Sequence, residues 1–251
     1  MVYGIIAAGE GSRLKADGYH GFKPMVKLLG ETLIERLIRL FQSNDATAIY
    51  IILNSSEKEV GEFIENQQAA LPDGKISSAP IHIIYKDTPS SFHSLFALLE
   101  SMPATDKQEV CISTIDPVFS GELFQSYIEA FVSAPQLDGL MAVTSFIEDD
   151  KPLHVYTDSD GRITQFANQP KAGEPWISGG IYLLRAPALA EAIPAFKAGI
   201  HKMRNFQQTL LDRGLYLKAF DLGRIIDIDH LSDIELAEAL LSEDLSDQQT
   251  F

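Results

Sequence analysis

Apolar runs rich in Val and Ile alternate with amphipathic runs along the first half of the chain. The apolar runs are typical of buried strands: VYGIIA (2–7), AIYIIL (48–53), IHIIY (81–85), EVCISTI (109–115) and GLMAVTSF (139–146). Helical spacing marks the runs between them: ETLIERLIRLFQ (31–42), EKEVGEFIENQQ (57–68), SFHSLFALLESM (91–102) and GELFQSYIEAFV (121–132). This β-α-β-α order predicts an α/β fold: a Rossmann-like, mainly parallel sheet with helices on both faces.

The pattern changes after residue 150. LHVYTDSDGRITQFAN (153–168) has two short alternating runs around Asp160-Gly161, a dipeptide typical of tight hairpin turns. Strands are predicted at WISGGIYLL (176–184) and LYLKAFDLG (215–223), and helices at ALAEAIPAF (188–196), RNFQQTLLDRG (204–214) and LSDIELAEALLSEDL (231–245). We therefore expect a single domain over residues 1–251 with a small β-rich elaboration in its second half.

The net charge of the chain indicates which partners are unfavourable, and its cysteine content indicates the compartment. The 251-residue chain has a formal net charge of −15, which disfavours nucleic acid and anionic membrane surfaces as partners. Its single cysteine, Cys111, excludes an intrachain disulfide and fits a cytoplasmic location. No apolar run approaches the length of a membrane span. Homo-oligomerisation stays open.

A glycine-rich loop follows the first predicted strand. Gly9 and Gly11 alone indicate only a sharp turn, and Leu14 stands where a dinucleotide fingerprint has its third glycine. Backbone N–H groups supplemented by Arg13 and Lys23 would suit phosphate oxygens, although two surface cations are the simpler explanation. The proline that follows Lys23 predicts an extended backbone at Lys23.

The whole stretch is more specific than its glycines. AAGEGSRL (7–14) followed by KPMVKLLGETLIERLI (23–38) resembles the start of the sugar-phosphate nucleotidyltransferase family, which includes the NDP-sugar pyrophosphorylases. The resemblance implies that Arg13 and Lys23 act on the phosphates of a nucleoside triphosphate. By the same resemblance, the nucleotide-binding residues would be Ala8, Gly9, Gly11, Ser12, Arg13, Lys23 and Ser91.

Such chemistry needs a divalent cation, and Mg²⁺ prefers carboxylate oxygens. Asp116 follows a predicted strand, as the family's metal-binding aspartate does, although capping of the helix near Ser120 is an alternative role. RIIDIDHLSDIELAEALL (224–241) resembles a late family segment in which Asp227 matches the second metal ligand and Asp233 caps the closing helix. Strand alternation turns Asp229 to the same face as Asp227. We expect Asp116 and Asp227 to hold Mg²⁺, with Arg13, Lys23 and Asp116 as the catalytic residues.

The acceptor site is expected in the second half. Ser178, Gly179 and Gly180 match the family's acceptor-binding segment, and Asn168-Gln169 stand where enzymes for hexose 1-phosphates often have Glu-Lys. The acceptor is therefore expected to differ from a plain hexose 1-phosphate. Serines at 90, 91 and 94 can bind the nucleoside, and capping of the following helix explains one of them equally well.

The resemblance implies a Mg²⁺-dependent nucleotidyltransferase that couples a nucleoside triphosphate to a phosphorylated sugar or alcohol and releases pyrophosphate. Residues 1–150 would mainly bind the nucleotide, and residues 151–251 would bind the acceptor and close the fold. Two alternatives stay open. A glycosyltransferase of related fold would use a D-x-D sequence, which Asp227-Ile228-Asp229 spells late in the chain, and a non-catalytic nucleotide-sensing subunit would keep the fold without turnover.

Overall fold

The computed structural model describes residues 1–69, 79–146, 151–171, 173 and 175–248. In the first half, strands and helices alternate as the sequence predicts. The strands are β1 Val2–Ala7, β2 Lys27–Leu28, β3 Glu31–Thr32, β4 Ala48–Leu53, β5 Ile81–Tyr85, β6 Glu109–Thr114, β7 Pro117–Val118 and β8 Gly139–Thr144. The helices are α1 Ser12–Ala16, α2 Leu33–Ser43, α3 Lys58–Ala69, α4 Ser91–Ser101 and α5 Gly121–Val132.

The second half begins with the predicted hairpin, in which β9 His154–Thr157 pairs antiparallel with β10 Ile163–Ala167. The remaining strands are β11 Trp176–Arg185, β12 Leu217–Asp221 and β13 Ile226–Asp227. The helices are α6 Ala186–Ala190, α7 Ala192–Lys197, α8 Met203–Asp212 and α9 Leu231–Gln248. Among the described residues, no helix combines the length and the apolar character that crossing a membrane requires.

One main sheet joins the two halves of the chain. Strands β5, β4, β1 and β6 lie side by side and run parallel. Next to them, β11 lies antiparallel between β6 and β8, and it also pairs with β9 of the hairpin. Strand β12 then runs parallel to β8. The predicted α/β class, with a mainly parallel sheet and a β-rich elaboration, is confirmed.

Hydrophobic cores cover both faces of this sheet. Successive side chains of a strand point to opposite faces, so that Tyr3 and Ile5 of β1 belong to one core and Ile6 to the other. The first core packs against α2, α5 and α9, whereas the second packs against α4 and the helices α6 to α8. This arrangement explains why β1 is apolar at nearly every position.

Three local expectations were wrong. Strand β5 was predicted to be buried, but among the described strands it pairs with β4 alone, at the sheet edge, and it is half-exposed. The run 188–196 was predicted as one helix, but Pro194 has no N–H to donate to Ala190, and the structure has two short helices there. Lys23 lies in a short 3₁₀ turn, Lys23–Met25, and the extended residue is Phe22.

Glu57 is a carboxylic acid in an unfavourable environment. It lies between β4 and α3, is 4% exposed, and its Oε2 accepts a hydrogen bond from the backbone N of Asn54 at 3.1 Å. Burial raises the pKa of Glu57 to about 7, although the Asn54 amide and the charge of Lys15 act in the opposite direction. The folded protein therefore binds more protons than the unfolded chain between the two pKa values, and its stability falls as pH rises through about 7.

We predict that Glu57→Gln raises Tm relative to the wild type at pH values above about 7, because a neutral amide replaces a buried carboxylate that would have to ionise. The gain in Tm should shrink as pH falls towards the ordinary pKa of glutamate. Differential scanning calorimetry over a pH series measures it. Glu59→Gln, at an exposed position of α3, controls for the loss of one charge. A constant gain in Tm across the series would contradict the prediction.

Candidate active site

An open cleft of about 860 Å³ lies at the carboxyl end of the parallel strands. This is where α/β sheets usually bind their ligands. The wall from the first half comes from segments that follow β1 and β6 and from the segment that opens α4. The wall from the second half comes from β11, from the start of α8 and from the segment after β13. All seven residues predicted to bind the nucleotide line this cleft: Ala8, Gly9, Gly11, Ser12, Arg13, Lys23 and Ser91.

The glycine-rich loop packs closely against Lys23. Gly11 has a left-handed backbone (φ 59°) that places α1 and Arg13 directly after the turn. A Cβ added to Gly11 would lie 3.4 Å from the Cβ of Lys23. Glycine at this position therefore serves both the turn and the close approach of the two segments.

Lys23 connects two acids across the cleft. Its Nζ donates to Asp116 Oδ2 at 2.9 Å and to Asp229 Oδ1 at 2.9 Å, and the side chain is 8% exposed. Arg13 donates to the other carboxylate oxygen of Asp229. Two cations and two acids thus form one chain of ion pairs, which we call the charge bridge: Arg13, Asp229, Lys23 and Asp116.

Within the charge bridge, the pKa values of Lys23 and Asp116 both move in the direction that favours the charged form. Burial by itself would lower the pKa of Lys23, but Asp116 and Asp229 outweigh it and raise that pKa. Burial would likewise raise the pKa of Asp116, whereas the Lys23 charge and the Thr114 hydroxyl lower it below the ordinary value. At neutral pH the cleft therefore presents the charged ammonium group of Lys23 beside the charged carboxylate of Asp116.

Asp116 reaches the cleft through its neighbours in the sheet. The backbone N of Ile115 donates to Ile6 O at 3.1 Å, which places Asp116 beside the end of β1. The proposed alternative role as a helix cap does not apply, because α5 begins at Gly121 with Ser120 in the cap position.

Asp229 holds a more central position than the sequence predicts. Strand β13 ends at Asp227, and the backbone N of Asp229 donates to Asp227 O at 3.0 Å in a tight turn. Strand alternation therefore does not orient Asp229, although both acids line the cleft. Asp233, in the first turn of α9, accepts from the backbone N of Asp229 at 2.9 Å and of His230 at 2.6 Å, in keeping with its predicted capping role.

The acidic side chains of the cleft suit Mg²⁺. In a short antiparallel pair, Asp227 lies opposite Pro117, and the backbone N of Ile228 donates to Asp116 O at 3.1 Å. Asp116 and Asp227 both line the cleft. Within the described part of the chain, no three His, Cys, Asp or Glu side chains converge into a complete metal site. Mg²⁺ usually takes only one or two protein carboxylates, and substrate oxygens and water complete its coordination.

The serines at the start of α4 differ in the contacts that their side chains make within the protein. Ser90 occupies the cap position, and its hydroxyl accepts from the backbone N of His93 at 3.4 Å. The hydroxyl of Ser94 lies 2.6 Å from that of Thr88, and Ser94 is buried. All three serines, Ser90, Ser91 and Ser94, line the cleft.

The three predicted acceptor residues do not all line the main cleft. Ser178 and Gly180 line the main cleft, where Gly180 (φ 73°) interrupts the register between β11 and β8. Gly179 instead packs against Ile225, and a Cβ there would lie 2.3 Å from its Cδ1. Gly179 lines a smaller neighbouring cavity together with Asp227.

Sequence reasoning missed several residues of the second-half wall. Tyr182, Lys202, Arg204 and Gln207 line the cleft. Arg204 is held in place because its NH1 donates to Asn168 Oδ1 at 2.7 Å. The residues from α8 had no signal of their own, because polar positions on an amphipathic helix usually indicate a solvent-exposed face.

The chain is similar in sequence and in fold to known proteins. The family model of the MobA-like NTP transferase domain matches residues 4–212. The bifunctional protein GlmU of Thermodesulfovibrio yellowstonii is 25% identical over 95% of this chain. The match covers 52% of that protein, so the chain spans about half the length of this curated relative.

Solved structures share the fold at low sequence identity. The inositol-1-phosphate CTP transferase from T. maritima superposes with a TM-score of 0.76 at 15% identity, covering 96% of this chain and 95% of that one. A putative glucose-1-phosphate thymidylyltransferase from Bacillus anthracis gives 0.77 at 18% identity, covering 96% and 94%. The CTP:phosphocholine cytidylyltransferase from Streptococcus pneumoniae gives 0.70 at 16% identity, covering 96% and 98%.

The glycine-rich loop, Arg13, Lys23 and Asp116 lie within the segment that the family model matches, and Asp227 and Asp229 lie beyond its end. The chain belongs to the family of MobA-like NTP transferase domains.

Proposed function

We propose that this protein is a Mg²⁺-dependent nucleotidyltransferase that joins a nucleoside triphosphate to a phosphorylated small molecule and releases pyrophosphate. The observation that carries the proposal is the charge bridge, in which Lys23 is held between Asp116 and Asp229 in a cleft bordered by the glycine-rich loop. Membership of the NTP transferase family supports it. The products would be nucleotide-activated sugars or related compounds.

The charge bridge explains how an acidic protein accepts a triphosphate. Arg13 and Lys23 are ionised and already oriented towards the cleft, and each is paired with a carboxylate. When phosphate oxygens arrive, the two cations exchange carboxylate partners for phosphate partners, and the guanidinium fork of Arg13 suits two oxygens at once. Both side chains then stabilise the charge that develops as the α-phosphate is attacked.

Asp116 and Asp227 are the residues that would hold Mg²⁺. The metal would neutralise phosphate charge and favour in-line displacement of pyrophosphate. Asp229 would orient Arg13 and Lys23. The loop after β1 and the segment before α4 would hold the nucleotide, in keeping with the assignment of residues 1–150 mainly to the nucleotide and 151–251 to the acceptor. The protein's own contribution is positioning and charge stabilisation, which dominate phosphoryl transfer.

The acceptor is proposed to differ from a plain hexose 1-phosphate. Asn168 stands where relatives for such sugars often have glutamate, and here its side chain accepts a hydrogen bond from Arg204. The three structural neighbours are named for inositol 1-phosphate, glucose 1-phosphate and phosphocholine, so the fold accommodates different acceptors.

The two alternatives fit the cleft less well. In a glycosyltransferase both aspartates of the D-x-D sequence would bind a metal, whereas in the described part of the chain Asp229 pairs with two cations, Arg13 and Lys23, and Asp116 pairs with Lys23 alone. A nucleotide-sensing subunit has no need of a lysine held between two carboxylates at the position of the transferred phosphate. Both observations favour nucleotidyl transfer.

We predict that Lys23→Ala lowers kcat by about 10²–10³-fold, because the variant lacks the cation nearest the developing charge. Pyrophosphate release under saturating substrate measures the effect, and near-UV circular dichroism verifies that the variant is folded. Lys27→Ala, at an exposed position of β2, is the matched control and should retain wild-type turnover. Full activity of a folded Lys23→Ala variant would remove Lys23 from the mechanism.

We also predict that Asp116→Asn and Asp227→Asn each lower turnover by about 10²-fold or more, and that the double variant is scarcely slower than either single variant. Groups that serve one metal act as a unit, and their losses are not additive. Pyrophosphate release is measured against Mg²⁺ concentration.

Asp229→Asn is the matched control for these two variants, since it removes the same charge from the same cleft. It should raise KM for the nucleotide through Arg13 and Lys23, with little change in the Mg²⁺ concentration required. If Asp229→Asn shifts the Mg²⁺ requirement more than Asp227→Asn does, or the losses in the double variant multiply, the metal assignment is wrong.

A further inference from the structure

Gln207 is a buried amide that has no hydrogen-bond partner among the described residues. It is 2% exposed, lies on α8 and forms part of the cleft wall. Within the described residues, neither its Nε2 nor its Oε1 has a partner. A buried polar group left unpaired lowers the stability of the fold, and a ligand that pairs with Gln207 would relieve this cost.

Gln208, the next residue on α8, has both polar atoms of its side chain hydrogen-bonded within the protein. Gln208 accepts from the backbone N of Phe166 at 3.0 Å and donates to Asp212 at 2.8 Å. Both of its amide atoms therefore serve the protein itself. The contrast between the two residues assigns Gln207 to the cleft.

The surroundings of Gln207 connect it with the reaction centre. Tyr182 lines the same cleft, and burial raises its pKa, with further contributions from the charges of Asp227 and Asp116. Arg204, one helical turn before Gln207, is fixed by Asn168 and by the backbone O of Lys151 at 3.1 Å. The second-half wall therefore combines an amide and a guanidinium near the acids of the first-half wall.

Hydrogen-bonding capacity restricts the ligand. A primary amide offers two N–H donors and one carbonyl acceptor, and a hydroxyl group can satisfy both because it donates and accepts. A quaternary ammonium group can do neither and is usually bound by several aromatic side chains. Of the described residues that line the cleft, Tyr182 alone is aromatic.

We propose that Gln207 binds a hydroxyl group of the acceptor, and that the acceptor is a phosphorylated polyol, such as a cyclitol phosphate or a modified sugar phosphate. This inference rests on the proposed nucleotidyltransferase function and names its substrate class. Choline phosphate is excluded as a preferred acceptor because its quaternary ammonium group neither donates to the amide nor accepts from it, and ethanolamine phosphate is excluded because its ammonium group can donate to Oε1 but leaves Nε2 unpaired.

The test compares Gln207→Leu with the wild type. Pyrophosphate release is measured with myo-inositol 1-phosphate, N-acetylglucosamine 1-phosphate, glucose 1-phosphate, phosphocholine and phosphoethanolamine. We expect the wild type to prefer a polyol phosphate, and Gln207→Leu to raise KM for it about tenfold, the value of one hydrogen bond. The KM for the nucleotide should not change. Tm should stay the same or rise, because leucine removes an unpaired buried amide.

Gln208→Leu is the matched control. It should lower Tm, because it leaves the Phe166 amide without its partner, and it should leave KM for the acceptor unchanged. A role of Gln207 in the fold alone would produce this same result for Gln207→Leu, and that outcome would overturn the inference.

The remaining outcomes separate this inference from the function on which it rests. Pyrophosphate release that is fastest with phosphocholine or phosphoethanolamine would overturn the polyol class and leave nucleotidyl transfer intact. Fastest release with glucose 1-phosphate would support the polyol class and contradict the exclusion of plain hexose 1-phosphates. No release with any acceptor and any of the five common nucleoside triphosphates would overturn both proposals.

Discussion

The placement of one ammonium group between two carboxylates governs the organisation of the cleft. Lys23 Nζ lies 2.9 Å from an oxygen of Asp116 and 2.9 Å from one of Asp229. Burial alone would lower the pKa of Lys23, because it favours the neutral form of an amine. Asp116 and Asp229 outweigh the effect of burial and raise that pKa. The charge of Lys23 in turn allows two carboxylates to lie close together in a protein of net charge −15. The cleft is thus preorganised to exchange internal ion pairs for contacts with an anionic substrate.

The sheet supplies this geometry from distant parts of the chain. Parallel β1 and β6 end next to each other, which brings the glycine-rich loop beside Asp116. The short β7–β13 pair then anchors Asp227 against Pro117, and the turn that follows delivers Asp229 to Lys23. The site therefore depends on backbone pairing on both sides of Asp116, and the buried cores on the two faces of the sheet keep these strand ends fixed.

Hydrophobic periodicity predicts most of the fold because nearly every strand and helix is stabilised by burial of an apolar face. It does not predict strand order: nothing in WISGGIYLL indicates that β11 inserts between β6 and β8. Local motifs place Arg13, Lys23 and Asp116 in the cleft. Asp229 acquires its position from a turn after a two-residue strand, and Gln207 differs from Gln208 only through tertiary contacts. Neither feature has a local sequence signal.

The most direct test of the charge bridge is a crystal structure with Mg²⁺ and a non-hydrolysable analogue of whichever triphosphate among CTP, UTP, GTP, ATP and dTTP raises Tm most. The measured quantity is the distance from Lys23 Nζ to the nearest phosphate oxygen. The account predicts about 3 Å, with Lys23 released from Asp229 and the metal bound by Asp116 and Asp227. A triphosphate bound elsewhere, with Lys23 still bridging Asp116 and Asp229, would contradict it.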